Sequence, residues 1–235
     1  MNALSREALV FRALYWEAAR HYDEMKEAIA MVIRAVQDHS LAEIIVFASA
    51  CKYISSRYRD GIFVLRAGGP IAAREQSERE TAWREQVVTA LKHGLVEFCT
   101  ENIALVHRYV VPHATDEIRL VAVHKLLGDF YRYLAEVASG DDRDRYRAEA
   151  ETHYTQAQTT ATVTLTPTSP LRLEVALNYA ALQADGGNIR RAGEMVSESF
   201  GEAENWRLVS HRDTALPARA AEIMQRLSEL SIQWV

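Results

Sequence analysis

Apolar residues recur at intervals of three and four along almost the whole chain. Leu9, Ala13 and Trp16 set a phase that Arg20 continues; Met25, Ile29, Val32 and Val36 carry it on, followed by Ile44 and Ile45, Ala48 and Ile54. This spacing places apolar side chains on one face of a helix, whereas the strict alternation expected of a strand is nearly absent. Breaks fall near His21 and at Asp38–Ser40, Ala67–Pro70, Pro112–Thr115, Ser139–Asp142, Pro167–Pro170, Asp185–Gly187 and Ser210–Asp213. They divide the pattern into roughly nine helices joined by short links. Ser40 before Leu41–Glu43 and Thr115 before Asp116–Ile118 read as helix N-caps. Asp141 and Asp142 open the next helix, where carboxylates complement the positive helix end. One segment, Thr159–Thr166, is rich in β-branched residues, and its propensity favours strand or coil. With no fixed-period repeat and no long linker, the pattern predicts an all-α protein: residues 1–235 as one domain of antiparallel helices.

Composition agrees with that class. The chain has 235 residues, 49% of them hydrophobic and 25% charged, with only 10 Gly and 5 Pro, enough to bury a substantial core. Its formal net charge of −5 argues against nucleic acid as the main partner. A local cluster of cations in such a chain would be a specific site rather than part of a basic surface. Cys51 and Cys99 are the only cysteines, without zinc or redox spacing, and read as packed thiols in a reducing compartment. No signal peptide is evident at Met1–Glu7, and Leu41–Cys51 is too short to span a bilayer. These features lead to the expectation of a cytoplasmic protein without a membrane partner.

The familiar catalytic patterns are missing. The sequence contains neither GxxxxGK[ST] nor GxGxxG, no HExxH, and no serine nucleophile elbow. Asp141–Asp144 lacks the glycine and glutamate of a calcium loop, so capping is the better reading. No cofactor, metal or enzymatic activity is therefore expected.

Two lysine–arginine pairs stand out instead. Lys52 and Arg59 are separated by seven residues, as are Lys125 and Arg132, so each pair lies on one face of its helix. Asp129 and Glu136 share the stripe of the second pair. That is also the pattern of an ordinary solvated, ion-paired face. The sharper alternative is a four-cation site for a doubly charged phosphate, with Tyr133 close to the same stripe as a hydroxyl donor.

The residues around the second pair decide between these readings. Lys125–Asp142, with its run Gly128-Asp-Phe-Tyr-Arg-Tyr-Leu-Ala-Glu136, closely resembles a signature stretch of the 14-3-3 family. Pro167–Asn178 resembles that family's second signature, and the pattern aligns without a gap from Pro112 to Asp185. Tyr22–Met25, the Lys52–Arg59 stretch, Ile223–Gln225 and Trp234 also fit. The resemblance implies nine antiparallel helices forming cup-shaped dimers with a concave peptide groove, the helices up to about residue 37 serving dimerisation and the remainder the groove. It implies an adaptor that binds Ser/Thr-phosphorylated proteins and forms homo- or heterodimers. The phosphate would be held by Lys52, Arg59, Lys125, Arg132 and Tyr133, with Asp129 and Glu136 orienting the cations. Asn178 would bond the peptide main chain, Leu177 would line the groove, and Asp185 would stand where the family has a glutamate. The competing binding-module reading is a TPR-like scaffold for unphosphorylated peptides.

The resemblance has departures. If Ile223–Gln225 and Trp234 set the register of the last helix, the family's second peptide-binding asparagine becomes Leu230, and three groove leucines become Glu222, Arg226 and Gln233. A shift of one residue would instead put Ile223, Leu227, Ser231 and Trp234 on an apolar wall. Around Val87–Gly94, Val, Thr, Ala and Gly replace the family's dimer charge pairs, and His21 replaces an arginine.

Overall fold

The computed structural model describes residues 5–67, 77–210 and 216–234. Among the described residues there are nine α-helices and no strand: α1 (Arg6–Ala18), α2 (Tyr22–Ala35), α3 (Leu41–Ala67), α4 (Glu78–Tyr109), α5 (Glu117–Val137), α6 (Gly140–Thr164), α7 (Pro170–Asp185), α8 (Ile189–Val209) and α9 (Ala218–Gln233). A 3-10 turn at Val111–His113 follows α4. The expected breaks fall between helices. Those at Ala67–Pro70 and Ser210–Asp213 lie, beyond Ala67 and Ser210, outside the described residues.

The helix ends follow local chemistry. The Ser40 side chain accepts from the Glu43 amide at 3.2 Å, and Glu43 accepts from the Ser40 amide at 2.7 Å, a reciprocal capping box at the start of α3. Arg6 of α1 donates to both Glu43 oxygens at 2.6 Å, which satisfies that buried carboxylate. At α5 the cap differs from the expected one: the Asp116 carboxylate, not Thr115, accepts the Arg119 amide at 2.9 Å. Thr115 instead accepts from the Arg119 guanidinium at 3.3 Å. α1 ends with Arg20 in the left-handed region, φ 59°, so that the His21 amide reaches the Trp16 carbonyl at 2.9 Å. α7 ends in the same way through Gly187, φ 84°, a conformation that suits glycine.

The threonine-rich segment is helical, contrary to its propensity, and α6 runs on to Thr164. Ala157 and Ala161 are buried against Val121 and Val175, so tertiary burial holds the face. The hydroxyls of Thr162 and Thr164 donate to carbonyls one turn back, at 2.9 and 2.8 Å, and need no partner elsewhere.

The chain forms two compact units: residues 1–113 with 133–143, and residues 114–132 with 144–235. The first is built on α1–α4, whose buried faces include Met25, Ile29, Phe47, Ile54, Leu95 and Cys99. In the second, Leu173 and Ala180 of α7, Met195 and Val196 of α8, and Ile223, Leu227 and Leu230 of α9 share one apolar core. α5 runs through both units, up to Arg132 in the second and from Tyr133 in the first.

Candidate functional site

In the first unit, α3 carries Lys52 on its exposed side and the partly buried Arg59 two turns later. Glu136, in the last turn of α5, accepts from Arg59 Nε at 2.6 Å and from Nη2 at 2.9 Å. This forked geometry fixes the guanidinium plane as a lysine could not. The Arg59 Cζ lies 4.6 Å from the centre of the Tyr133 ring, and Tyr133 is itself buried. Stacking on the ring adds attraction and removes rotational freedom.

In the second unit, Lys125, Asp129 and Arg132 are all buried, at 7%, 5% and 7% exposure, which overturns the reading of an ordinary solvated face. Lys125 Nζ lies 2.9 Å from Asp129 Oδ2 and 3.3 Å from Glu174 Oε2. The other Asp129 oxygen accepts from the Tyr154 hydroxyl at 2.5 Å and from Asn178 Nδ2 at 2.7 Å. Burial alone would push the Asp129 carboxyl up. Lys125, Arg132 and the hydrogen bonds outweigh burial and hold it below the usual carboxylate range. Arg132 donates from Nε to the Tyr154 hydroxyl at 3.4 Å, and its Nη1 lies 3.8 Å from Asp185. Asp185 closes α7, where a carboxylate opposes the helix dipole, so the neighbouring arginine offsets an unfavourable placement.

Gly128 makes this packing possible. A Cβ there would stand 2.8–3.1 Å from three carbons of the Tyr154 ring. Leu177 is half-buried against the core of α7, α8 and α9. On α9, Ile223 and Leu227 are core residues at 2% and 0% exposure, whereas Glu222, Arg226 and Gln233 are exposed. The one-residue shift that would place Ile223 and Leu227 on an open apolar wall therefore does not match their surroundings.

Three contributors escaped the sequence reading: Tyr154, Glu174 and Arg219. Glu174 accepts from Arg219 Nε and Nη2 at 2.8 and 2.6 Å, as well as facing Lys125. Gly128 in an otherwise bulky helix was the one hint of a ring packed close by. Nothing local marked Glu174 or Arg219, whose partners lie on other helices. Among the described residues no group of three or more His, Cys, Asp or Glu side chains gathers to hold a metal ion, and no helix is long and apolar enough to cross a membrane.

Nine helices among the described residues, with buried Lys125, Asp129 and Arg132 on α5 facing the less buried Glu174 and Asp185 of α7, define an all-α protein with a preformed ionic cluster. The model of the family described as 14-3-3 protein matches residues 12–235. The chain is 29% identical over 241 residues to 14-3-3 protein 7 of Solanum lycopersicum, covering 97% of this chain and 90% of the relative. It is 30% identical over 241 residues to a 14-3-3-like protein of Nicotiana tabacum, again covering 97% and 90%. With 14-3-3-like protein 2 of Caenorhabditis elegans it shares 28% over 236 residues, covering 97% and 91%. The chain belongs to the 14-3-3 family, and is a divergent member of it. Members of this family are non-enzymatic, protein-binding adaptors.

Proposed function

We propose that this protein binds client proteins through segments phosphorylated on serine or threonine, using Lys52, Arg59, Lys125, Arg132 and Tyr133 for the phosphate. The observation that carries this reading is the pre-aligned Arg59 guanidinium, forked onto Glu136 and stacked on Tyr133. A fixed planar donor suits a tetrahedral dianion, and little side-chain entropy remains to be lost on binding. Lys125 acts mainly through its charge, because Asp129 and Glu174 already hold its ammonium group. Asn178 donates to Asp129, which orients its amide so that Oδ1 accepts a main-chain N–H of the client. Leu177 and Asp185 complete the peptide contacts.

The test compares matched phosphorylated and unphosphorylated peptides on the wild type and on the Arg59→Lys/Arg132→Lys double variant. A strong preference for the phosphorylated peptide, much weakened in the variant, is expected. Equal affinity for both peptides would end the phosphate reading in favour of an unphosphorylated-peptide scaffold. Equal binding by variant and wild type would remove the two arginines from the site.

The same reading includes a dimer formed through the N-terminal helices. Phe11, Leu14 and Tyr15 of α1 are 72%, 44% and 64% exposed, an apolar face that association would bury. Sedimentation at low micromolar concentration showing only a 26.5 kDa species would exclude the homodimer. The cytoplasm is the proposed compartment, in keeping with two free, buried thiols.

A further inference from the structure

One pair of ionisable side chains in the second unit has no place in the phosphate reading. His124 of α5 and His153 of α6 are both half-buried, and their Nδ1 atoms lie 2.9 Å apart. Their ring centres are 5.2 Å apart, close to the greatest separation that two imidazoles joined at that distance allow. The two nitrogens therefore point at each other. A metal ion needs about 2.0 Å to each nitrogen, and nitrogens aimed head-on at 2.9 Å leave no room for one. The gap suits a proton instead, with one ring donating from Nδ1 and the other accepting. The Tyr131 ring, seven residues after His124 on the same helix, stacks on His153 with centres 5.6 Å and planes 10° apart, which limits its rotation.

Proton counting sets what this contact tolerates. With both rings neutral, the donor carries its proton on Nδ1 and the acceptor on Nε2. One further proton goes to the bare Nε2 of the donor, and the contact survives as a charge-assisted bond. A second must go to the acceptor Nδ1, inside the gap, where two N–H groups and two positive charges would face each other. Joined, the pair therefore holds one proton fewer than two separate imidazolium rings. The ionisable groups nearby pull both ways. Glu149, one turn before His153 on α6, favours protonation. Lys125, next to His124 on α5, opposes it, although Asp129 and Glu174 offset its charge. Tyr146 of α6, with Arg145 over its ring, lies beside Tyr131, and Tyr179 of α7 reaches α6 just beyond His153, at Tyr154 and Thr155. Burial raises the Tyr131 and Tyr179 hydroxyls, so both stay neutral while the histidines titrate.

We propose that His124 and His153 form an acid-operated latch between α5 and α6, closed by one shared proton near neutral pH and opened by a second below about pH 6. Its position couples it to the buried ions. His124 precedes Lys125, and His153 precedes Tyr154, whose hydroxyl donates to Asp129 at 2.5 Å. Parting the rings draws the Tyr154 turn of α6 away from α5 and leaves Asp129 with one donor fewer. The same carboxylate accepts from Lys125 at 2.9 Å and from Asn178 at 2.7 Å, so its loosening reaches both. Acid thus acts on the ion cluster through the two histidines, well above the pH at which Asp129 itself titrates. The latch concerns the fold around Asp129 and stands whether or not a phosphate binds there.

Two measurements on the full chain test it. Long-range proton–nitrogen NMR of the histidine rings at about pH 8 should show one of the two as the Nδ1–H tautomer and the other as Nε2–H. Their signals are assigned by their loss in His124→Gln and His153→Gln. Hydrogen exchange, corrected for the intrinsic effect of pH and resolved by peptide, should show α6 around Tyr154 opening more in the wild type as pH falls. The rise should be up to about tenfold for each pH unit below about 6, the dependence that one excluded proton gives. In either glutamine variant the remaining imidazole keeps a partner at any charge, because an amide both donates and accepts. Both variants should therefore hold α6 closed, with no such rise. Two Nε2–H tautomers at about pH 8 would overturn the latch. So would exchange around Tyr154 that stays flat in the wild type, rises as much in the variants, or rises no more than in α8 and α9.

Discussion

Asp129 accepts hydrogen bonds from side chains on three helices: Lys125 on α5, Tyr154 on α6 and Asn178 on α7. Its buried charge is compensated from each of them, so loss of one partner is costly. Gly128→Ala should displace the Tyr154 ring and destabilise the protein by about 1–3 kcal/mol, read by urea denaturation. The acid response follows from the sign of the Asp129 shift. Its folded carboxyl lies below the ordinary value, so its contribution to stability is complete above the unfolded pKa of about 3.9 and fades as pH falls through the lower folded value. Asp129→Asn should therefore flatten the loss of stability below about pH 4, when midpoints are compared across pH. At this scale the sequence showed the cations and their same-helix carboxylates, because helical spacing is local. Tyr154, Glu174 and Arg219 were invisible, since the distances that matter to them are fixed only once helices pack.

Whole helices were the most legible feature, through the three-four recurrence of apolar residues and the polar breaks between them. Their ends were read less well. Ser40 caps α3 as expected, whereas at α5 the cap falls one residue later, on Asp116. Thr159–Thr166 failed because propensity carries no information about the face that Ala157 and Ala161 bury. The start of α3 offers a direct test of capping. Ser40→Ala removes the acceptor for the Glu43 amide and a hydroxyl that donates to the Glu43 carboxylate at 3.0 Å. It should cost about 1 kcal/mol in thermal or urea denaturation. The remaining Arg6 fork keeps the buried carboxylate paired and limits the damage.

At the scale of the molecule, the two units differ in what they expose to chemical probes. Both cysteines lie in the first unit, on α3 and α4, and both are buried. Burial pushes the Cys99 thiol up to about 12 and raises Cys51 as well, so little thiolate forms near neutral pH. A thiol reagent at pH 8 should leave the native protein unlabelled and modify both cysteines once urea unfolds the first unit. Labelling would thus follow that unit specifically. Rapid modification of the native protein would contradict the packing of α3 and α4.

The pairing of cations before any client arrives has a consequence for competition. Arg59 is held by Glu136, and Lys125 by Asp129 and Glu174. On the phosphate reading proposed above, a small anion must approach these cations beside carboxylates that stay in place and repel it. It has no main chain with which to offset that repulsion. Inorganic phosphate, sulfate and nucleotides should therefore compete poorly, and the ambient salts of a cell should leave the receptor vacant. The built-in carboxylates lower the affinity for any bare anion, setting a threshold that only a ligand with several points of attachment can cross.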